Sequence, residues 1–216
     1  MSRKAAQLRS RRISPSRREQ KREQTREALM EAAAFIIAEQ GFGAATLVRI
    51  TERANIALGT FYNYFESTEV LFSELMDSYG SRLRRWIKAS VPANGGFFER
   101  EEAAFRAWFK FLHLHPFFVR VLNEAEIFSP DAFEAYFESI TGGYRRLLKR
   151  SASAGEIRKL KDYEVEAVAL MLMAQRSFYG LRLKSYVSSN GEIDTRIVAI
   201  YNDILRRTLA VGTSTT

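Results

Sequence analysis

Helical periodicity constrains this chain more than any other feature. Apolar residues recur three and four positions apart through almost the whole sequence, and no segment sustains the alternation of a half-buried strand. Leu29, Ala32, Ala33, Ile36 and Ile37 set a first helix over about 19–40, with Gly41 as its stop. Thr46 is a natural N-cap for a short helix through Ala54, and a second short helix covers about 58–64. Ser67 then caps a helix over 68–90, and the run from Val91 to Phe97 breaks the pattern. Beyond that loop the periodicity predicts helices near 98–114, 117–127, 130–154, 163–187 and 194–211. Ser129-Pro130-Asp131 is a start signal, Gly155 a stop, and Asp162 and Asp194 caps. The fold class is all-α, with about nine helices.

At 46% hydrophobic, 216 residues can bury a substantial core, which excludes global disorder. No stretch approaches the roughly 18 uninterrupted apolar residues of a membrane span, so no membrane partner is expected. The absence of cysteine excludes disulfide scaffolds and thiolate chemistry. The formal charge is +8, but it is unevenly spread. Residues 1–18 hold Arg3, Lys4, Arg9, Arg11, Arg12, Arg17 and Arg18 and no acid, leaving only +1 for the other 198 residues. This arm has too few apolar residues for an amphipathic targeting helix. It reads either as a solvated terminus or as an arm that touches DNA.

Two short helices joined by a tight turn and packed on a longer one form the pattern of a helix-turn-helix reader. The residues then become specific: Arg26, Leu29, Ala32, Ala33, Gly41, Phe42, Thr46, Ile50, Ala54 and Ile56 are followed by the run GTFYNYFEST, then Glu69 and Leu71. Residues 26–71 resemble the N-terminal domain of the TetR family of bacterial transcriptional regulators. That resemblance implies a flexible basic arm at 1–18, a DNA-binding domain at 19–72 and a helical ligand-binding and dimerisation domain at 73–216. It also implies a cytoplasmic, nucleoid-associated repressor that binds a pseudo-palindromic double-stranded DNA operator as a homodimer. By position in the motif, the DNA contacts would fall on Thr46, Gly59, Thr60, Tyr62, Asn63, Tyr64 and Thr68. Phe61 and Phe65 would face inward. Four positions depart from the family pattern: Thr51, Asn55, Ala57 and Thr68, the last standing where the family carries a phosphate-binding lysine.

Residues 19–72 carry five cations against eight anions, a formal −3 that is unusual for a DNA reader. Because phosphate neutralisation supplies much of DNA affinity, Arg9, Arg11, Arg12, Arg17 and Arg18 of the arm are expected to provide the attraction the module lacks. A weakened reader on an all-α ligand-binding or scaffolding protein is the alternative.

In the second domain, Trp108, Phe109, Phe111, Leu112 and Phe117 crowd one stretch, with Met171 on a later helix. Together with Glu124, Gln175 and Tyr179 as polar handles, they suggest a cavity for an apolar or aromatic small-molecule effector. His113 and His115 lie two apart, about 200° around a helix, so they cannot share a metal unless the helix ends between them. No catalytic constellation is recognisable, and neither a metal nor a cofactor is expected. The last two helices should form the dimer, through Val168 and Leu172 on one and Ile197, Ile200, Tyr201, Ile204 and Leu205 on the other.

Overall fold

The computed structural model describes residues 16–182 and 184–212, and among these the architecture is helical throughout. The helices are α1 (Arg17–Gln40), α2 (Leu47–Arg53), α3 (Leu58–Phe61), α4 (Thr68–Ser90), α5 (Phe97–Leu114), α6 (Phe118–Phe128), α7 (Pro130–Ser153), α8 (Asp162–Arg182) and α9 (Thr195–Leu209). Their number and order match the periodicity. Most boundaries shift by a residue or two, and three differences bear on the site. Ser16 forms a capping box with Glu19, so α1 starts at Arg17 and takes Arg17 and Arg18 into its first turn. The recognition segment is helical only to Phe61 and continues as turns through Tyr64. The chain leaves α8 at Arg182 and makes a single bridge, Val187 to Ile193, before α9.

Leu29, Ala33 and Ile37 of α1, Ile50 of α2 and Phe61 of α3 bury against Leu71 and Leu75 at the start of α4. The three-and-four spacing on α1 exists to make this contact. At 23 residues, about 35 Å long by the helical rise, α4 continues past this small core into the second one. There it packs on α5, α6 and α7. The division expected at 72/73 therefore falls inside a helix that both halves share. In the second core α7 lies on α8, while α8 and α9 both pack on α5.

Gly41 closes α1 with φ at +88°, a conformation that suits glycine, and its N–H donates to the Ile37 carbonyl at 2.8 Å. A β-carbon there would lie 3.0 Å from a carboxylate oxygen of Glu124. The positive φ is what favours glycine; a β-carbon would in addition press on the Glu124 and Arg120 side-chain ends.

Candidate nucleic-acid interface and ligand cavity

The turn between α2 and α3 is built on Asn55, the one non-glycine residue with positive φ (55°) among those described. Asparagine tolerates that region better than most side chains, and the Ile56 N–H closes the turn on the Thr51 carbonyl at 2.9 Å. Thr51 is buried, and its hydroxyl donates back to the Leu47 and Val48 carbonyls, which satisfies it inside α2. Ala57 gives α3 no side-chain cap. Thr46 sits at the N-cap position of α2 but makes no capping bond, so its exposed hydroxyl is open to solvent.

Phe61 and Phe65 are buried and tilt against each other at 5.6 Å, which fixes the recognition segment on the α1–α4 core. Arg26 holds it from the other side. It donates to the Tyr64 carbonyl at 2.8 Å, pairs with Glu74 of α4 and lies 4.5 Å over the Phe65 ring. This anchoring leaves Gly59, Tyr62 (58% exposed) and Asn63 exposed, with Thr60 and Tyr64 half-buried. No atom lies within 4 Å of where a β-carbon on Gly59 would be. Thr68 opens α4 and donates to Glu69 at 3.3 Å.

The five cations of the module divide into two groups. Arg26 is engaged as described. Arg49 donates to the Ala44 carbonyl and the Gln40 side chain, and Arg53 lies 3.3 Å over the Phe35 ring. Lys21 and Arg22 form no ion pair among the described residues. With Arg18 and Glu19 they line a cleft whose other wall is Asn63 and Tyr64. The free positive charge therefore lies beside the recognition segment, on the first turns of α1. Arg17 belongs to the same turn, whereas Arg9, Arg11 and Arg12 lie outside the described residues.

A partly open cavity of about 360 Å³ lies between α4, α5, α6, α7 and α8. Of the nine ligand residues expected from sequence, only Trp108 lines it. Phe109, Leu112, Glu124 and Tyr179 line a separate, more polar cleft. Phe111 is core, tilted against His115 and edge-on to Phe118, and Phe117 meets the Tyr79 ring edge-on at 4.8 Å. Met171 points to solvent and Gln175 is half-buried outside both cavities, whereas Met173, on the opposite side of α8, lines the first. The wall that sequence reasoning missed is α7, where Phe133, Tyr136, Phe137, Ile140 and Tyr144 face the cavity. Their three-and-four spacing was visible, but it is no denser than ordinary core.

Glu124 has a different position from the one expected. It accepts the Phe42 N–H at 2.7 Å and an Arg120 N–H at 2.7 Å, while Arg120 also donates to the Ala38 carbonyl at 2.8 Å. Burial by itself pushes the Glu124 carboxyl up, but the bonds from Arg120 and Phe42 outweigh it and hold the group below its usual range. Phe128 stacks on Phe42 at 5.6 Å one turn later. One side of α6 thus clasps the end of α1, while Leu122 and Glu126 on the other line the cavity.

His113 and His115 point apart. α5 ends at Leu114, so His115 turns onto Phe111 and Tyr79, while His113 packs against Gly191. Burial and then Arg82 lower the His115 pKa. Of the seven expected dimer residues, Leu172, Tyr201 and Leu205 face this subunit's own core and Val168 and Ile197 are half-buried. Their helices pack on α5 through that side. Ile200 (57%) and Ile204 are exposed, and on α8 the outward apolar stripe is Tyr163, Leu170, Met171 and Phe178 (57%).

Residues 29–75 match the family model described as bacterial regulatory proteins, tetR family. Over 72 residues the chain is 33% identical to the uncharacterized HTH-type transcriptional regulator YdgC of Bacillus subtilis, covering 33% of this chain and 37% of that one. It is 28% identical over 120 residues to the HTH-type transcriptional repressor KstR2 of Mycobacterium tuberculosis, covering 55% and 60%. The chain thus spans between about a third and three fifths of these curated relatives. The structure of the fatty acid degradation regulator FadR from Bacillus halodurans superposes with a TM-score of 0.71 at 17% identity, covering 84% of this chain and 94% of that one. The similarity of fold therefore extends well beyond the matched domain.

Proposed function

The chain belongs to the TetR family of bacterial regulatory proteins, and from that premise we propose that it is a ligand-responsive transcriptional repressor. It binds a pseudo-palindromic operator as a homodimer, in the bacterial cytoplasm. The observation that carries this reading is the recognition segment: Tyr62 and Asn63 stand exposed on a segment pinned by Phe61, Phe65 and Arg26, beside Lys21 and Arg22, which form no ion pair among the described residues. Asn63 offers an amide that can pair with adenine, Thr60 a hydroxyl, and Gly59 close approach to the groove. Thr46, Tyr64 and Thr68 are assigned to phosphates. The basic arm, with Arg9, Arg11 and Arg12, adds further attraction. The named repressor KstR2 supports repression over activation, and relatives named as regulators support a role other than catalysis.

The dimer is assigned to the outward faces of α8 and α9, with Phe178, Ile200 and Ile204 at its centre. An apolar stripe of this kind is costly to leave in water. The effector is assigned to the apolar cavity. A molecule entering it meets Leu122 and Glu126 of α6, and the Arg120–Glu124 clasp on the same helix carries the displacement to the end of α1. The two reading heads then change spacing, and operator affinity falls by population shift.

Selection of bound DNA from a random pool by the full-length protein tests the core of this reading. A two-fold related sequence should be enriched. Tyr62→Ala and Asn63→Ala should each lose about 1–3 kcal/mol of discrimination at their base positions. Failure to enrich any sequence would refute the regulator assignment.

A further inference from the structure

The apolar cavity has a polar floor. Arg176 of α8 is 7% exposed and Glu101 of α5 2% exposed, and their side chains meet at 2.5 Å. The Tyr201 hydroxyl of α9 donates to the same Glu101 oxygen at 2.6 Å. The charges of this set cancel. The pairing leaves two donors over, however. The Arg176 Nε–H and the Tyr144 hydroxyl are both buried and have no hydrogen-bond partner among the described residues. Arg176 and Tyr144 both belong to the cavity wall, with the guanidinium 5.3 Å from the Tyr144 ring centre. Two unsatisfied donors on side chains of one cavity wall are costly unless something supplies an acceptor.

The acceptor's chemistry follows from the charge balance. Arg176 already has its carboxylate in Glu101. A second carboxylate brought into the cavity would be a buried anion without a counter-ion. Leu83, Ile87, Leu122, Phe133 and Ile140 make most of the remaining wall apolar. We propose that the cavity takes a compact, apolar, uncharged molecule whose carbonyl oxygen accepts from the Tyr144 hydroxyl and the Arg176 Nε–H. The proposal rests on the effector-cavity reading above and adds the ligand class to it.

Equilibrium dialysis of the full-length protein against three compounds of one skeleton tests it: benzophenone, diphenylmethane and sodium diphenylacetate. Benzophenone should bind roughly tenfold or more tighter than diphenylmethane, because the hydrocarbon leaves the donors unpaired, and diphenylacetate should also bind more weakly than benzophenone. Tyr144→Phe should reduce benzophenone binding towards the level of diphenylmethane while leaving diphenylmethane unchanged. The melting temperature of Tyr144→Phe without ligand should be equal to or above that of the unsubstituted protein, since the deleted hydroxyl has no partner to lose. Ile140→Trp, which fills the cavity, should abolish binding of all three. Equal affinity for ketone and hydrocarbon, tightest binding by the carboxylate, or a ketone preference that survives Tyr144→Phe would each overturn the carbonyl assignment. The effector cavity itself would stand in those cases provided Ile140→Trp still blocked binding. If none of the three binds, or Ile140→Trp leaves binding intact, both readings fail together.

Discussion

Replacing Lys21 and Arg22 by glutamine should flatten the salt dependence of operator binding. The module is formally acidic, yet these two side chains form no ion pair among the described residues and face Asn63 and Tyr64 across one cleft. If each neutralises one phosphate, a dimer loses four contacts in the Lys21→Gln/Arg22→Gln protein. With about 0.9 counterions released per contact, the slope of log K against log salt should shrink by about 3.6. Between 50 and 200 mM salt that corresponds to about two decades, so the unsubstituted protein should lose roughly a hundredfold more affinity over this range than the variant. Fluorescence anisotropy on the selected operator at four or five salt concentrations reads the slope directly. Lys88→Gln/Lys159→Gln removes the same formal charge from exposed sites in the second domain and serves as the control. An unchanged slope in the first variant, or an equal change in the control, would refute the assignment of phosphates to the start of α1.

Four further outcomes are expected. Deleting residues 1–15 while keeping the Ser16 cap should lower the slope again, since Arg3, Lys4, Arg9, Arg11 and Arg12 go with the segment; an identical slope would restrict DNA attraction to α1. Glu101→Leu leaves Arg176 buried without its partner and should cost about 3–5 kcal/mol, or on the order of 6–20 °C in Tm at fixed protein concentration. Adding Arg176→Met should recover most of that loss, and calorimetry showing no recovery would argue against the buried pair. His115 has its pKa lowered by burial and by Arg82, so the unfolded chain binds the proton more readily. Stability should be full above about pH 6.5, fall as the pH drops below that value and level off below the folded pKa. Urea titrations of His115→Gln should lack that component. Finally, Ile200→Lys/Ile204→Lys should yield monomers in sedimentation velocity with the helical spectrum retained, and a persistent dimer would move the interface elsewhere.

The Arg120–Glu124 clasp and the Arg176–Glu101 pair illustrate what pattern reading misses. Arg120 and Glu124 are four apart on one helix, but the bonds they make to Ala38 and Phe42 span 82 positions, and Arg176 lies 75 from Glu101; neither long-range link has a local signature. Glu124 was expected at the cavity because it follows an aromatic-rich stretch. It instead reaches back 82 positions to the Phe42 N–H, a contact that exists only once α6 has docked on α1. The cavity wall was sought on α5 because its aromatics are densest. Phe105 instead stacks on Tyr201 of α9 and Phe111 packs on Phe118 of α6, leaving α7 to face the space.

The helices and the reading head follow from local pattern. Apolar spacing, caps and stops act within four or five residues, and the run GTFYNYF carries its own anchors, Phe61 and Phe65, beside the residues they expose. Sequence also determined that α8 and α9 carry more apolar surface than one side can hide. Which side is hidden depends on long-range packing. Packing on α5 turned Leu172, Tyr201 and Leu205 inward and left Phe178, Ile200 and Ile204 in solvent. Long-range packing likewise decided which cations are free, since stacking on Phe35 and pairing with Glu74 engage Arg53 and Arg26. The reason is physical. Secondary structure answers to neighbours along the chain, while a helix's rotation about its axis, and hence every cavity wall and interface, is set by the surfaces that reach it from elsewhere.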